Sequence, residues 1–132
     1  VGLACEAAPA WLPRRANVSF VEVHGDALFV RTHERGVGLT NACGSAMAAS
    51  TYAAALTGRL AFGADTIVRN RGGLVRAAAR ADGMVTLEGN ATFEWQGTVE
   101  VEPDGRVGAV AVEQRFPDEI AAWDAVLARA KA

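Results

Sequence analysis

The sequence predicts an α+β domain, with short β-strands on either side of one alanine-rich helix and a second helix at the end of the chain. Apolar and polar residues alternate in several segments, which is the pattern of strands with one buried face. The turn dipeptides Asp82-Gly83 and Asp104-Gly105 separate some of these segments, as expected between the strands of hairpins. Strands and helices that follow one another in separate blocks characterise the α+β class.

Residues 1–16 are expected to be a loop or inter-domain segment, because Pro9 and Pro13 interrupt them and no periodic pattern is visible. This opening has neither a basic start nor a long apolar run, so it does not resemble a signal peptide. The first residue is Val1 and not methionine, which indicates that an upstream part of the protein is missing. Residues 17–132 are expected to form one domain.

The first two strands are predicted at residues 17–23 and 27–33, where β-branched and aromatic residues alternate with others. The turn His24-Gly25-Asp26 lies between them and indicates a hairpin. Residues 34–41 are glycine-rich and are expected to form a loop.

The central helix is predicted at residues 42–60, where alanine, the residue with the highest helix propensity, predominates. Nearly all of its residues are small or apolar, so most sides of this helix are expected to be buried. Thr40 or Asn41 is the expected N-cap, and Gly58 is expected to help end the helix.

The second half of the chain is predicted to contain strands and a terminal helix. The strands are expected at residues 66–69, 73–77, 84–88, 91–101 and 107–113. The helix is expected at residues 117–132, with Pro117 at its start and the acidic Asp118 and Glu119 in its first turn. Its apolar residues recur at helical spacing and are expected to pack against the sheet: Ile120, Trp123, Val126 and Leu127.

Composition and charge exclude several classes of function. Of the 132 residues, 51% are hydrophobic and 21% are charged, which is typical of soluble globular proteins. The net charge of −2 provides no basic field for nucleic acid, and no run of about 18 uncharged apolar residues predicts a membrane span. Cys5 and Cys43 lack the spacing of a zinc site and are a poor basis for a disulfide framework, so a reducing cytoplasm is the expected compartment.

The segment most informative about function, ERGVGLTNACGS, leads into the central helix. Cys43 is expected in the first helical turn, where the partial positive charge and free N–H groups favour the thiolate over the thiol. The N–H groups of Gly44 and Ser45 offer an anion site for a substrate carboxylate. Glu34 and Arg35 begin the loop as a fixed negative and a fixed positive charge, and arginine can hold a carboxylate through two hydrogen bonds.

Each of these features also has a purely structural explanation. A cysteine in an alanine-rich helix is usually a small core residue. An adjacent glutamate-arginine pair usually ends a solvated strand, and glycines before a helix are ordinary loop residues. The functional hypothesis is favoured because all of these features converge on one helix terminus.

The sequence ERGVG from Glu34, followed by ACGS around Cys43, resembles the second signature of the diaminopimelate epimerase family. Residues 17–23 are similar to the strand that precedes this signature, and Gly72-Gly73-Leu74 to a later glycine turn of the family. The resemblance covers roughly residues 17–101. It implies two similar domains, each with a mixed β-sheet or barrel wrapped around a central buried helix, and each contributing one cysteine.

The resemblance further implies a cofactor-independent isomerase that interconverts LL- and meso-diaminopimelate, on the route to lysine and peptidoglycan. The substrate would lie between two helix N-termini. One cysteine would remove the α-proton as a thiolate, and the other would protonate the opposite face as a thiol. No cofactor and no metal are expected. The expected partners are diaminopimelate and the missing N-terminal domain, and a homodimer is compatible with the resemblance.

For catalysis, the resemblance implies roles for two residues. Cys43 corresponds to the acid/base cysteine of the family's second domain, and Glu34 to a carboxylate that assists the thiol and contacts substrate. The motif around the family's first cysteine is absent, and Cys5 does not match it. The chain is therefore expected to be the C-terminal half of a two-domain enzyme and to be inactive alone.

For substrate binding, the resemblance implies roles for four further positions. Asn17 corresponds to a substrate-binding asparagine, and Arg35 to the residue that binds the distal carboxylate of diaminopimelate. Gly44 and Ser45 correspond to backbone donors to the reacting carboxylate. Glu34 is expected to contact the substrate as well.

Some positions depart from the family pattern. Leu39 stands where glutamate is usual, Ala46 where glycine is usual, and His33 where tryptophan is common, which marks a divergent member. Two alternatives stay open. One is another racemase or epimerase of the superfamily, proline racemase-like or phenazine-biosynthesis-like, although Arg35 favours a substrate with a second carboxylate. The other is a non-catalytic domain that binds a small carboxylate or a partner.

Overall fold

The computed structural model describes residues 1–131; Ala132, the last residue of the predicted terminal helix, lies outside the described residues. The helices are α1 (Gly2–Glu6), α2 (Gly44–Leu56) and α3 (Pro117–Lys131). The strands are β1 (Val18–His24), β2 (Ala27–Glu34), β3 (Gly38–Thr40), β4 (Thr66–Asn70), β5 (Gly73–Ala79), β6 (Val85–Glu88), β7 (Trp95–Val101) and β8 (Val107–Arg115). This order confirms the predicted mixture of strands and helices with a helix at the C-terminal end. Among residues 1–131, no helix combines the length and the apolar content needed to cross a membrane.

The larger sheet has six strands in the order β1-β2-β4-β5-β6, with β3 also paired to β2. β1 and β2 form the predicted antiparallel hairpin, in register from Val18↔His33 to His24↔Ala27. β2 and β4 are parallel, because the chain passes through α2 between them. The β4–β5 and β5–β6 pairs are antiparallel, so the sheet is mixed.

The core forms where α2 packs on this sheet. Alternate side chains of β2 and β4 are buried, as the period of a strand requires. Leu28 and Val68 are partners in register and are 1% and 0% exposed. Burial of each such side chain contributes about 1.5–3 kcal/mol. The cluster comprises Leu28, Val30, Met47, Ala54, Val68 and Ala77.

The prediction that α2 is buried on most sides is not confirmed. One face of the helix is buried, and the opposite face exposes Ser45, Ala49, Ala53 and Leu56. The sheet order ends at β1 and β6, which are not paired to each other within the part of the chain that the structure describes. An open cleft of about 310 Å³ lies between β1 and α2. Because β1 and β6 are unpaired, the barrel implied by the family resemblance is not confirmed for residues 1–131.

Two segments that were predicted to be loops contain regular structure. The first is α1, which ends at Glu6, before Pro9 can interrupt it. The second is β3. Gly36 and Gly38 adopt φ angles of 76° and 91°, in the left-handed region that favours glycine, and turn the chain back onto β2.

Two compact units share the chain: residues 1–89 together with the end of the chain from Leu127, and residues 90–126. Residues 1–16, which were expected to be a separate segment, lie in the first unit. In the second unit, β7 and β8 form an antiparallel hairpin, although the strand predicted from residue 91 begins only at Trp95. The apolar residues of α3 that recur at helical spacing are half-buried: Ile120, Trp123, Val126 and Leu127.

Candidate active site

Cys43 was predicted to lie in the first turn of α2. It lies instead at the N-cap of the helix. Its backbone is extended, with φ −150° and ψ 102°, and its carbonyl accepts a hydrogen bond from the Met47 N–H at 3.0 Å. The helix therefore begins at Gly44. The N–H groups of Gly44 and Ser45 belong to the first turn, which has no carbonyl partners within the helix. The N–H groups that were expected to form an anion site therefore stand beside the cysteine, and their binding of an anion stays a prediction.

The expected N-caps, Thr40 and Asn41, are both used elsewhere. Thr40 still belongs to β3, and its side chain bonds to the end of β2. The carbonyl of Asn41 accepts a hydrogen bond from the Gly72 N–H at 2.8 Å. The helix consequently begins at Gly44, two residues later than predicted, and Cys43 is its N-cap.

The thiol of Cys43 is half-buried and lines a narrow crevice between α2 and the sheet. Its Sγ lies 3.5 Å from the Oγ of Ser45. Cys5, by contrast, is buried, and both cysteines are free thiols. The other residues that line the crevice are Val30, Thr32, Thr40, Asn41, Ala42, Met47 and Asn70.

Glu34 ends β2 and faces Gly38 of β3. Its Oε1 accepts a 2.6 Å hydrogen bond from the hydroxyl of Thr40, and such short contacts are typical of bonds to a carboxylate. Thr40 also lines the crevice beside Cys43. Thr40, the last residue of β3, therefore lies between the carboxylate of Glu34, to which it is hydrogen-bonded, and the crevice that Cys43 lines.

Arg35 and Asn17 are brought together by the β1–β2 hairpin. The Arg35 N–H donates to the Oδ1 of Asn17 at 3.0 Å, and both residues are exposed. The guanidinium donates from Nη1 to the carbonyl of Arg14 at 3.3 Å. Among residues 1–131 it has no acidic partner, and the side-chain nitrogen of Asn17 has no acceptor. Both side chains therefore keep donor groups that residues 1–131 do not engage.

Three residues that were not predicted to belong to the site hold this region in place. Asn70 is 4% exposed; its Nδ2 donates to the Sδ of Met47 at 2.9 Å and its Oδ1 accepts from the Gly72 N–H at 2.9 Å. Glu6 accepts hydrogen bonds from both His33 and Gly36. The partners of Glu6, and the Met47 partner of Asn70, are distant in sequence and gave no local signal. The bond between Asn70 and Gly72 spans only two positions and was overlooked. Gly72 was noted only as part of a glycine turn.

Comparison with known proteins gives one consistent result. The model of the family described as diaminopimelate epimerase matches residues 8–94, a range that contains all six predicted site residues. A diaminopimelate epimerase of Listeria monocytogenes serotype 4a is 43% identical over 99 residues, covering 71% of this chain and 30% of the relative. One of Clostridium acetobutylicum is 40% identical over 96 residues, 69% of this chain and 29% of the relative. One of Enterococcus faecalis is 46% identical over 88 residues, which cover 63% of this chain and 27% of the relative. The chain thus spans at most 30% of the length of these curated relatives.

Proposed function

This chain belongs to the diaminopimelate epimerase family, and from that premise we propose that it forms one half of a cofactor-independent epimerase site for diaminopimelate. The observation that supports this most strongly is the position of β3. The strand joins Glu34, through the hydroxyl of Thr40, to the helix start that carries Cys43. An acid, a thiol and free backbone donors thereby lie along one continuous piece of chain.

In the proposed mechanism, Cys43 exchanges a proton with the α-carbon of the substrate. The α-proton of an amino acid is very weakly acidic, so a site without a cofactor must stabilise the carbanion electrostatically. The N–H groups of Gly44 and Ser45 are the proposed donors to the α-carboxylate, because a helix N-terminus favours an anion. A second cysteine, on the opposite face, would complete the inversion.

The proposed selectivity for diaminopimelate depends on the other end of the substrate. Arg35 and Asn17 are exposed, touch each other, and retain donors that are not engaged within the described residues. A guanidinium can bind a carboxylate through two hydrogen bonds. We assign these two residues to the distal carboxylate, and Glu34 to the role of assisting the thiol and contacting the substrate.

The second cysteine is proposed to come from a second domain, the N-terminal one that the family resemblance implies. The relatives are more than three times as long as the part that matches, since the matched part is 30% or less of each. We therefore propose that the 132-residue chain is inactive alone. In the complete protein, the reaction would take place in the cytoplasm, on the route to lysine and peptidoglycan.

The test is conversion of LL- into meso-diaminopimelate, followed by uptake of deuterium at the inverted α-carbon in D₂O. We expect no conversion by the chain alone, and conversion when the N-terminal half of the Listeria relative is added. Cys43→Ser should abolish the restored conversion, while Cys5→Ser, which changes a buried thiol outside the site, should preserve it. Conversion by the chain alone, or restored conversion that survives Cys43→Ser, would contradict the proposal.

The same assay separates the alternatives. A proline racemase-like enzyme would exchange the α-proton of proline and would not depend on Arg35, because proline has a single carboxylate. A non-catalytic carboxylate-binding domain would bind diaminopimelate without exchange, even when the second half is present.

A further inference from the structure

The carboxylate of Glu6 is hydrogen-bonded to the residue before and to the residue after the Glu34-Arg35 pair. The Oε2 of Glu6 lies 2.9 Å from the Nε2 of His33, which precedes the pair. The Oε1 of Glu6 accepts a hydrogen bond from the Gly36 N–H, which follows the pair, at 2.7 Å. Each oxygen therefore has its own donor, and the turn is fixed from two directions.

The contact between α1 and His33 is close. A Cβ added at Gly2 would lie 2.5 Å from the Cγ of His33, so the helix backbone rests directly on the imidazole. Gly2 is buried, and the His33 side chain is only 12% exposed. The hydrogen bond from His33, and then the one from the Gly36 N–H, hold the pKa of the Glu6 carboxyl below its usual range. At neutral pH the carboxylate is charged and able to accept both bonds.

The same N-terminal segment also reaches the arginine itself. The carbonyl of Arg14 accepts the hydrogen bond from the Arg35 guanidinium at 3.3 Å. The turn after Arg35 contains Gly36 and Gly38, both with positive φ, and glycine has more conformational freedom in the unfolded chain than any other residue. The Val37 N–H donates to the Glu34 carbonyl at 3.1 Å across this turn, and the contacts from Glu6 and Arg14 add to that internal bond.

We propose that Glu6 is a positioning residue that fixes the turn at residues 34–36, and with it the guanidinium of Arg35, for the distal carboxylate of the substrate. This role rests on the proposed function, because it matters for activity only if Arg35 binds that carboxylate. Glu6 lies before residue 8, where the match to the family begins. The role of Glu6 therefore depends on contacts within this chain and not on the match to the family.

The test uses Glu6→Gln in the 132-residue chain, with Glu22→Gln as the matched control. A glutamine keeps the shape and one acceptor oxygen but loses the other. Glu22 is an exposed carboxylate on β1 that pairs with Arg31 at 3.7 Å, outside the proposed site. Binding of diaminopimelate and of proline is followed by NMR, together with the pH titration of the Gly36 amide.

In the wild-type chain, the Gly36 amide should titrate with a midpoint below the ordinary range of a glutamate. The groups that act on Glu6 are His33, through both a hydrogen bond and its charge, the Gly36 N–H, and the charge of Arg15. Glu6→Gln should remove this titration and weaken diaminopimelate binding several-fold, with proline binding unchanged. Glu22→Gln should behave as the wild type in all three measurements.

The possible failures are distinguishable. Wild-type binding of diaminopimelate that Glu6→Gln leaves unchanged would overturn the positioning role alone. An equal loss for diaminopimelate and proline would also overturn it, because the effect would then not involve the distal carboxylate. No binding of diaminopimelate by the wild-type chain would overturn the proposed function and this role with it, even if the Gly36 amide still followed Glu6.

Discussion

The hydroxyl of Thr40 donates a 2.6 Å hydrogen bond to the carboxylate of Glu34, and so ties the end of β3 to the end of β2. The two residues are on paired strands, in a register that sets Glu34 opposite Gly38. Cys43 follows Thr40 by three positions and caps α2. The conformation of this short strand therefore determines where the thiol lies relative to the carboxylate.

Thr40→Val removes the hydroxyl and keeps the side-chain shape. We expect the free energy of unfolding to fall by about 1 kcal/mol, the usual value of a single hydrogen bond. It is measured by chemical denaturation. Thr40→Ser, which retains the hydroxyl, should lose less stability. Equal losses in both variants would show that the hydrogen bond is not the cause.

Gly72→Ala introduces a Cβ against the segment that leads to Cys43. The added atom would lie 3.0 Å from the Cβ of Ala42 and 3.0 Å from the carbonyl oxygen of Asn41, which are close contacts. We expect a loss of about 1–3 kcal/mol, typical of overpacking, and a changed rate of Cys43 alkylation. Gly89→Ala is the control, since its Cβ would meet Val75 at an ordinary 3.5 Å. An unaffected Gly72→Ala would mean that the 41–42 segment is not held by this turn.

Cys43 should react with iodoacetamide faster than an ordinary exposed thiol at neutral pH. Cys43 stands at the N-cap of α2, and cysteines at helix N-termini are a typically reactive class. The reference is Ala49→Cys in a Cys43→Ser background, which places a thiol on the exposed face in the middle of the same helix. Cys5 is 7% exposed and should react only when the protein opens. A Cys43 slower than the reference would favour a non-catalytic domain.

Asp104 provides a pH-dependent contribution to the β7–β8 hairpin. Hydrogen bonds from the Arg106 side chain, at 2.7 Å, and from its backbone N–H, at 3.1 Å, hold the pKa of Asp104 below its usual value. A lowered folded-state pKa means that the contribution is present above the unfolded-state pKa and is lost as pH falls through the folded-state value. Asp104→Asn should remove this acid dependence from the Arg106 amide shift in NMR. A titration that persists in the variant must come from another group.

The sequence was sufficient to predict the elements whose pattern is local. Alternation in β1 and β2, with the turn at His24-Gly25-Asp26, placed the hairpin to within one residue at each strand end. The alanine-rich segment placed α2, because helix propensity acts on each residue separately. The six candidate site residues could likewise be selected from one local motif and the strand before it.

Features that depend on distant contacts could not be predicted in this way. Cys43 is the N-cap because the Asn41 carbonyl accepts a hydrogen bond from the N–H of Gly72, which lies far along the chain. α1 contacts His33 through the side chain of Glu6, and no periodic pattern in the sequence predicts this contact. Sequence also could not show that α2 would have an exposed face, because small residues are compatible with either burial or solvent.

The most direct test of the proposed site is an NMR titration of the 132-residue chain with diaminopimelate and with proline. We expect diaminopimelate to shift the amides of Gly44 and Ser45 and the side-chain signals of Arg35 together. Arg35→Gln should weaken diaminopimelate binding on the order of tenfold or more, as loss of a charged hydrogen bond implies, and should leave proline binding unchanged. Shifts that do not include both ends of the site, or equal effects of Arg35→Gln on the two ligands, would contradict the assignment of this chain as half of a diaminopimelate site.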